Sequence, residues 1–142
     1  MSRVVLDAGI GAGLVLPMTH SFAARQRLAG WIADDTEIWV PTLWAYEVVS
    51  AVRKHVAAGI LSDDMAAAAI VALAGLGVQA MEPDVDMHQH ALTWAGRLNQ
   101  PVAYDGAYLA VAERLGAELW TIDGRLARRA ETLGLAWVKM VS

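Results

Sequence analysis

Four carboxylates stand where a chain can gather them for chemistry: Asp7, Glu47, Asp105 and Asp123. Asp7 closes the apolar run Val4-Val5-Leu6 and Asp123 closes the weakly alternating GAELWTID, so each is expected at the end of a strand. Asp105 opens the largely apolar helical stretch AYLAVAERL, and Glu47 lies in the first turns of a helical pattern over 43–58. Carboxylates at helix N-termini and at the carboxyl ends of parallel strands face one crevice. Gathered there, they repel one another and are costly to desolvate, so the set calls for protons or cations. Hard divalent ions such as Mg²⁺ or Mn²⁺ neutralise such a set with oxygen ligands alone, and can orient and acidify a water for attack on a phosphodiester. The chemistry expected is hydrolysis without a protein nucleophile.

A simpler role competes for each acid. An Asp at the start of a helix is a cap, which accounts for Asp105 and Asp123 taken singly. Capping is not expected of Asp7 behind a buried strand, nor of Glu47 on a largely apolar helix. Glu47, Ser50 and Lys54 recur at i, i+3 and i+7 and form one polar stripe, which by itself reads as a solvent-facing one.

The elements that must position these acids alternate along the chain. Strands are expected at 4–6, 37–40, 78–81, 117–122 and 136–140. Helices are expected at 21–33, 43–58, 65–76 after a Ser62-Asp63-Asp64 cap, 85–98, 105–115 up to a Gly116 stop, and 125–133. In the helix over 21–33, Phe22, Leu28, Trp31 and Ile32 are available for packing, with Arg25, Gln26 and Arg27 turned outward. Residues 8–13 read as a permissive turn because of Gly9, Gly11 and Gly13. Their spacing is not the dinucleotide fingerprint, since Leu14 stands where its third glycine belongs and Asp7 would repel a pyrophosphate. His88 and His90 are two apart on a helix and point to nearly opposite sides, so they are read as surface or packing residues rather than a metal pair. Strands separated by helices predict an α/β sandwich around a mostly parallel sheet.

The 142 residues suit one domain, 1–142, and 56% hydrophobic with 18% charged residues excludes a disordered chain. The longest apolar stretch, 65–78, is Ala-rich and shorter than a membrane span. Asp7 interrupts any signal-peptide core, which makes cytoplasmic residence the expectation. With no Cys, disulfides, thiolate zinc sites and Cys nucleophiles are excluded. A net charge of −4 argues against a surface coated in basic residues for unselective nucleic-acid binding. It leaves room for a nuclease, with small basic clusters at Arg25 and Arg27, at Arg53 and Lys54, and at Arg125, Arg128 and Arg129. The hydrophobic content and six Trp in a small domain predict self-association.

VVLDAG at the start, the Glu47 helix, YDGAYLAVAERLGAELWTID and the trailing GRLARRA resemble a PIN-domain ribonuclease, and more narrowly a VapC-type toxin of a toxin and antitoxin pair. The resemblance covers nearly the whole chain, with Tyr104 to Asp123 its most specific part. It implies an α/β/α sandwich, a homodimer, RNA cleavage with Mg²⁺ or Mn²⁺ bound by Asp7, Glu47, Asp105 and Asp123, and an antitoxin lying across the groove. The chain departs from the family pattern at Gly9, where Ser or Thr is usual, and at Ser50, where Asn is frequent. Those departures support a second reading, a weakened module that holds RNA or a protein partner without efficient cleavage. A phosphatase or dehalogenase-like hydrolase is disfavoured, because Asp7 is followed by Ala8 and Gly9 rather than by a second acid two residues on.

Overall fold

Five short strands and seven helices make up the described residues, 2–142, in a computed structural model. The strands are β1 (Arg3–Leu6), β2 (Glu37–Pro41), β3 (Gln79–Met81), β4 (Glu118–Thr121) and β5 (Val138–Met140). They form one sheet in the order β3-β2-β1-β4-β5, and all four pairings are parallel. The helices are α1 (Ala8–Val15), α2 (Ser21–Ala33), α3 (Leu43–Ala57), α4 (Asp63–Ala74), α5 (Val85–Arg97), α6 (Tyr104–Leu115) and α7 (Gly124–Thr132).

The two-residue period of the strands divides the core. Val5, Val40 and Leu119 point to one face, where they meet Trp44 and Val48 of α3, Met87, Ala91 and Trp94 of α5, and the apolar body of α6. Val4, Leu6, Ile38 and Trp120 point to the other, against Ile10 and Leu14 of α1 and Ala24 of α2. Helices on both faces of a parallel sheet give the expected α/β/α sandwich. The strand order places β1 at the centre, and the chain returns past it to add β4 on its other side. A parallel sheet opens its crevice at such a switch, outside the strands' carboxyl ends.

Two local readings are corrected. Residues 8–15 are a helix rather than a turn. Its glycines serve close packing: a Cβ on Gly11 would lie 2.5 Å from Cζ2 of Trp44, and Gly9 and Gly13 similarly admit Ile122 and His20. Glycine's cost in a helix, about 1 kcal/mol per residue, is offset by that burial. In α2, Leu28 and Trp31 pack as expected, whereas Phe22 and Ile32 are exposed. Arg27 does not simply point outward, since its guanidinium lies over the Trp120 ring at 4.3 Å. The expected stop at Gly116 and cap at Ser62 hold. Gly116 takes the left-handed conformation at φ 60°, and Ser62 caps α4 through the amide of Met65. His88 and His90 are both exposed, and His90 lies 3.5 Å from Glu113.

Candidate active site

Two of the acids are helix caps and two are held by a side-chain donor. Asp7 follows β1 directly and caps α1, its Oδ1 accepting the amide of Ile10 at 2.9 Å. A buried strand that passes without a loop into a helix needs a cap at the junction, so capping does explain this acid, contrary to expectation. Asp123 follows β4 and caps α7, accepting from the amides of Arg125 at 2.9 Å and Leu126 at 3.4 Å. Asp105 sits in the first turn of α6 and caps nothing. It accepts a bond of 2.8 Å from Nε2 of Gln100 instead. Asn99 has φ 56°, a left-handed turn that Asn tolerates, and it ends α5 so that Gln100 follows within reach. Glu47 accepts a bond of 2.7 Å from the hydroxyl of Tyr108, one turn along α6 from Asp105.

Thr121 links two of the acids. Fully buried at the end of β4, it donates its hydroxyl hydrogen to Oδ2 of Asp7 and accepts the amide of Asp123 at 2.9 Å. Trp44 ties α3 to the same point, its indole N–H donating to the carbonyl of Asp7 at 3.0 Å. Thr121, Tyr108, Gln100 and Trp44 were not singled out from the sequence. Thr121 had a readable signal, since the strand period places it on the same side as Asp123 two residues later. Tyr108 had a weaker one, at i+3 from Asp105 on one helix face. Gln100 and Trp44 had none, because their partners depend on how helices dock.

The charges feel one another. Burial pushes the Asp7, Glu47 and Asp105 carboxyls above their ordinary values, and neighbouring acids push the same way: Asp105 on Asp7, Asp105 and Asp7 on Glu47, and Asp123 on Asp105. The hydrogen bonds from Thr121, Tyr108 and Gln100 oppose the rise only in part. Tyr108 is itself held strongly protonated by burial and by its bond to Glu47, so it acts as a donor. The salt bridges among the described residues involve Arg3, His90 and Arg114 with other acids, and none includes these four. Asp7, Glu47 and Asp105 are therefore half-buried carboxyls held by neutral donors, and Asp123 stands exposed beside them. The all-oxygen chemistry of the set suits a hard cation. No group of three acidic or histidine side chains among the described residues is already arranged to hold one ion. Mg²⁺ commonly engages one or two carboxylates and completes its shell with water, so a preformed cage is not required.

A hollow of about 330 Å³ adjoins Glu47, lined also by Leu43, Tyr46, Ser50, Lys54 and Tyr104. The polar stripe of α3 thus faces this hollow. At the departure from the family pattern, a Cβ on Gly9 would lie 2.6 Å from Cγ1 of Ile122 and 3.5 Å from Oδ1 of Asp7. The Ile122 side chain fills the space that a larger residue at position 9 would need.

No family model matches the chain. Among curated proteins, Ribonuclease VapC12 of Mycobacterium tuberculosis is 34% identical over 125 residues, covering 88% of this chain and 90% of that protein. Ribonuclease VapC3 of Pyrobaculum aerophilum is 30% identical over 136 residues, covering 92% and 97%. The crystal structure of PAE2754 from Pyrobaculum aerophilum superposes with a TM-score of 0.68 at 25% identity, over 99% of this chain and 84% of that one. Relatives matched at these identities over nearly their full length, together with the parallel sandwich and the acids at its switch point, place this chain in the VapC family of PIN-type ribonucleases.

Proposed function

We propose that the protein is an endoribonuclease, the toxin of a toxin and antitoxin pair, and that it depends on Mg²⁺ or Mn²⁺. What supports this reading is that Asp7, Glu47, Asp105 and Asp123, carried by different elements, are near enough for neighbouring acids to raise the carboxyls of Asp7, Glu47 and Asp105, while no salt bridge among the described residues includes any of the four. A phosphodiester is an anion and would be repelled by the ionised acids, so a bound cation would be needed to bring a phosphate against them. A bound divalent ion would supply Lewis acidity and a water made acidic enough to attack phosphorus. Asp7, Glu47, Asp105 and Asp123 would hold it. The remaining groups act by positioning. Thr121 and the cap on α1 fix Asp7, Tyr108 aims Glu47, Gln100 orients Asp105, and the cap on α7 fixes Asp123. The proposal extends to a cytoplasmic homodimer that acts on RNA and is restrained by an antitoxin laid across the crevice.

Cleavage of RNA should appear with Mg²⁺ or Mn²⁺, stop in EDTA, and be poorly supported by Zn²⁺. Activity that persists in chelator would sink the metal-dependent reading. The second reading, a module that binds RNA or a partner without efficient cleavage, draws on two observations: Ile122 fills the space a side chain at Gly9 would need, and no three acids among the described residues are pre-set around one ion. RNA binding without cleavage in either metal would establish it.

A further inference from the structure

Tyr46 and Tyr104 are 79% and 60% exposed. Each immediately precedes an acid of the site in sequence, Glu47 and Asp105 respectively. Both line the hollow of about 330 Å³ that Glu47 also borders. Single exposed apolar side chains are ordinary on a protein surface, but two aromatic rings sharing one hollow with a carboxylate of the active site are not scattered exposure. The volume lies at the small end of the ~300 to 1,000 Å³ that small-ligand sites span. The remaining polar lining is Ser50 and Lys54. Lys54 is the one cation bordering that hollow, a compact ammonium on a flexible stem suited to a phosphate oxygen. The Ser50 hydroxyl can donate or accept, as a base edge or a ribose 2′-hydroxyl requires.

An unpaired nucleobase presents a flat π-face to an aromatic ring, and single-stranded RNA is held by such stacking with a cation tracking its backbone. A base inside a duplex has both faces covered and cannot do this. We propose that Tyr46 and Tyr104 form a stacking subsite for one unpaired base of single-stranded RNA beside Glu47, with Lys54 on an adjacent phosphate. This deepens, and rests on, the ribonuclease reading above. The acids repel the backbone, and the subsite offers attraction next to them, so the RNA is held by its bases as it approaches the crevice.

The test is binding of short single-stranded RNAs carrying 2-aminopurine, measured in EDTA with the full chain, beside cleavage of the same RNAs in Mg²⁺ or Mn²⁺. Stacking should quench the fluorophore on binding. Tyr46→Ala and Tyr104→Ala should each weaken binding roughly 5- to 150-fold, the range for loss of one base-stacking contact, and should lose quenching. Tyr46→Phe and Tyr104→Phe keep the ring and should bind within about twofold of the parent, a split that lost folding would not produce. Lys54→Ala should reduce the salt slope of binding by about 0.7, one phosphate contact on a single strand. A duplex of the same sequence should bind more weakly and respond little to either Tyr→Ala change. If both Ala variants bind and quench as the parent does while the parent cleaves RNA, the subsite is wrong and the ribonuclease reading stands. If the parent cleaves no RNA in either metal, the ribonuclease reading fails and the subsite falls with it. A change in oligomeric state on Tyr46→Ala or Tyr104→Ala, seen by light scattering without a change in RNA affinity, would assign the rings to a second copy of the chain and overturn the proposal.

Discussion

Asp105 has a slight structural role, because it caps no helix and its side-chain bond is to Gln100. Asp105→Asn keeps an oxygen that can accept from Gln100 and removes the charge that raises both Asp7 and Glu47. The variant should therefore cut no RNA while its metal-free form melts at the parental temperature or above. The lost attraction to the N-terminus of α6, about 0.3 to 1 kcal/mol, opposes that gain only in part. RNA cleavage and melting with and without Mg²⁺ check both halves, and parental cleavage by the variant would remove Asp105 from the site. Thr121→Val makes the contrasting case. It strands the part-buried amide of Asp123 and one oxygen of Asp7, so it should cost about 1 to 3 kcal/mol as well as activity. Denaturant unfolding reads the first, and a variant as stable as the parent would mean that the hydroxyl is dispensable.

Between elements, the positions of Glu47 and Asp105 depend on how closely α6 docks. A Cβ on Gly106 would lie 2.2 Å from the carbonyl oxygen of Ala91 in α5, and that oxygen is backbone and cannot swing aside. Gly106→Ala should force α5 and α6 apart at a cost of about 1 to 3 kcal/mol or more, and displace Asp105 and Tyr108 with the helix. Unfolding midpoints and cleavage should fall together, and a variant unaffected in both would mean that the helices have slack. The outer end of the same helix pair is held differently. Both nitrogens of Arg114 reach Asp84, at 2.8 and 2.9 Å, while Asp84 also caps α5 through the amide of Met87. At position 9 the obstacle is the movable side chain of Ile122, so Gly9→Ser should be better tolerated beside Ile122→Ala than alone.

For the whole molecule, pH separates two kinds of carboxylate. Asp7, Glu47 and Asp105 titrate above their ordinary values in the folded state. As pH rises through the ordinary carboxyl range the unfolded chain ionises first, so the metal-free protein loses stability from there up through the raised values. Asp84 has the opposite sign. The Arg114 guanidinium lowers it to about 2, and its contribution is present above 3.8 and lost as pH falls toward about 2. Melting temperature in EDTA should therefore peak at mildly acidic pH and decline toward neutrality, and Mg²⁺ should reverse that decline by binding the ionised acids. A melting temperature in EDTA that does not fall between mildly acidic and neutral pH would show that the site's acids do not strain the fold. Self-association was expected partly from six Trp, but Trp44, Trp94 and Trp120 are buried and Trp31, Trp39 and Trp137 are partly so. The apolar surface instead includes Phe22, Ile32, Val71, Val85 and Leu92, and α4 presents Met65 and Val71 within a run, 65–81, that carries no charge. Light scattering should find a dimer at micromolar concentration, and a monomer there would count against it.

Periodicity and punctuation are local properties, so the sequence by itself determined the order of elements other than α1, the parallel sandwich and the ends of strands at which Asp7 and Asp123 stand. The apolar runs at 4–6 and within 117–122, the left-handed Gly116 and the Ser62 cap are each set by neighbours a few residues away. The glycines at 9, 11 and 13 read as a turn because their reason lies elsewhere in the chain, in Ile122, Trp44 and His20. Only the tertiary structure decided that Asp7 is a cap and Asp105 is not, that Thr121 joins two acids, and that Tyr108 reaches Glu47 across 61 positions. Hydrogen-bond partners at such separations follow from the docking of helices on a sheet, which no spacing of residue types encodes.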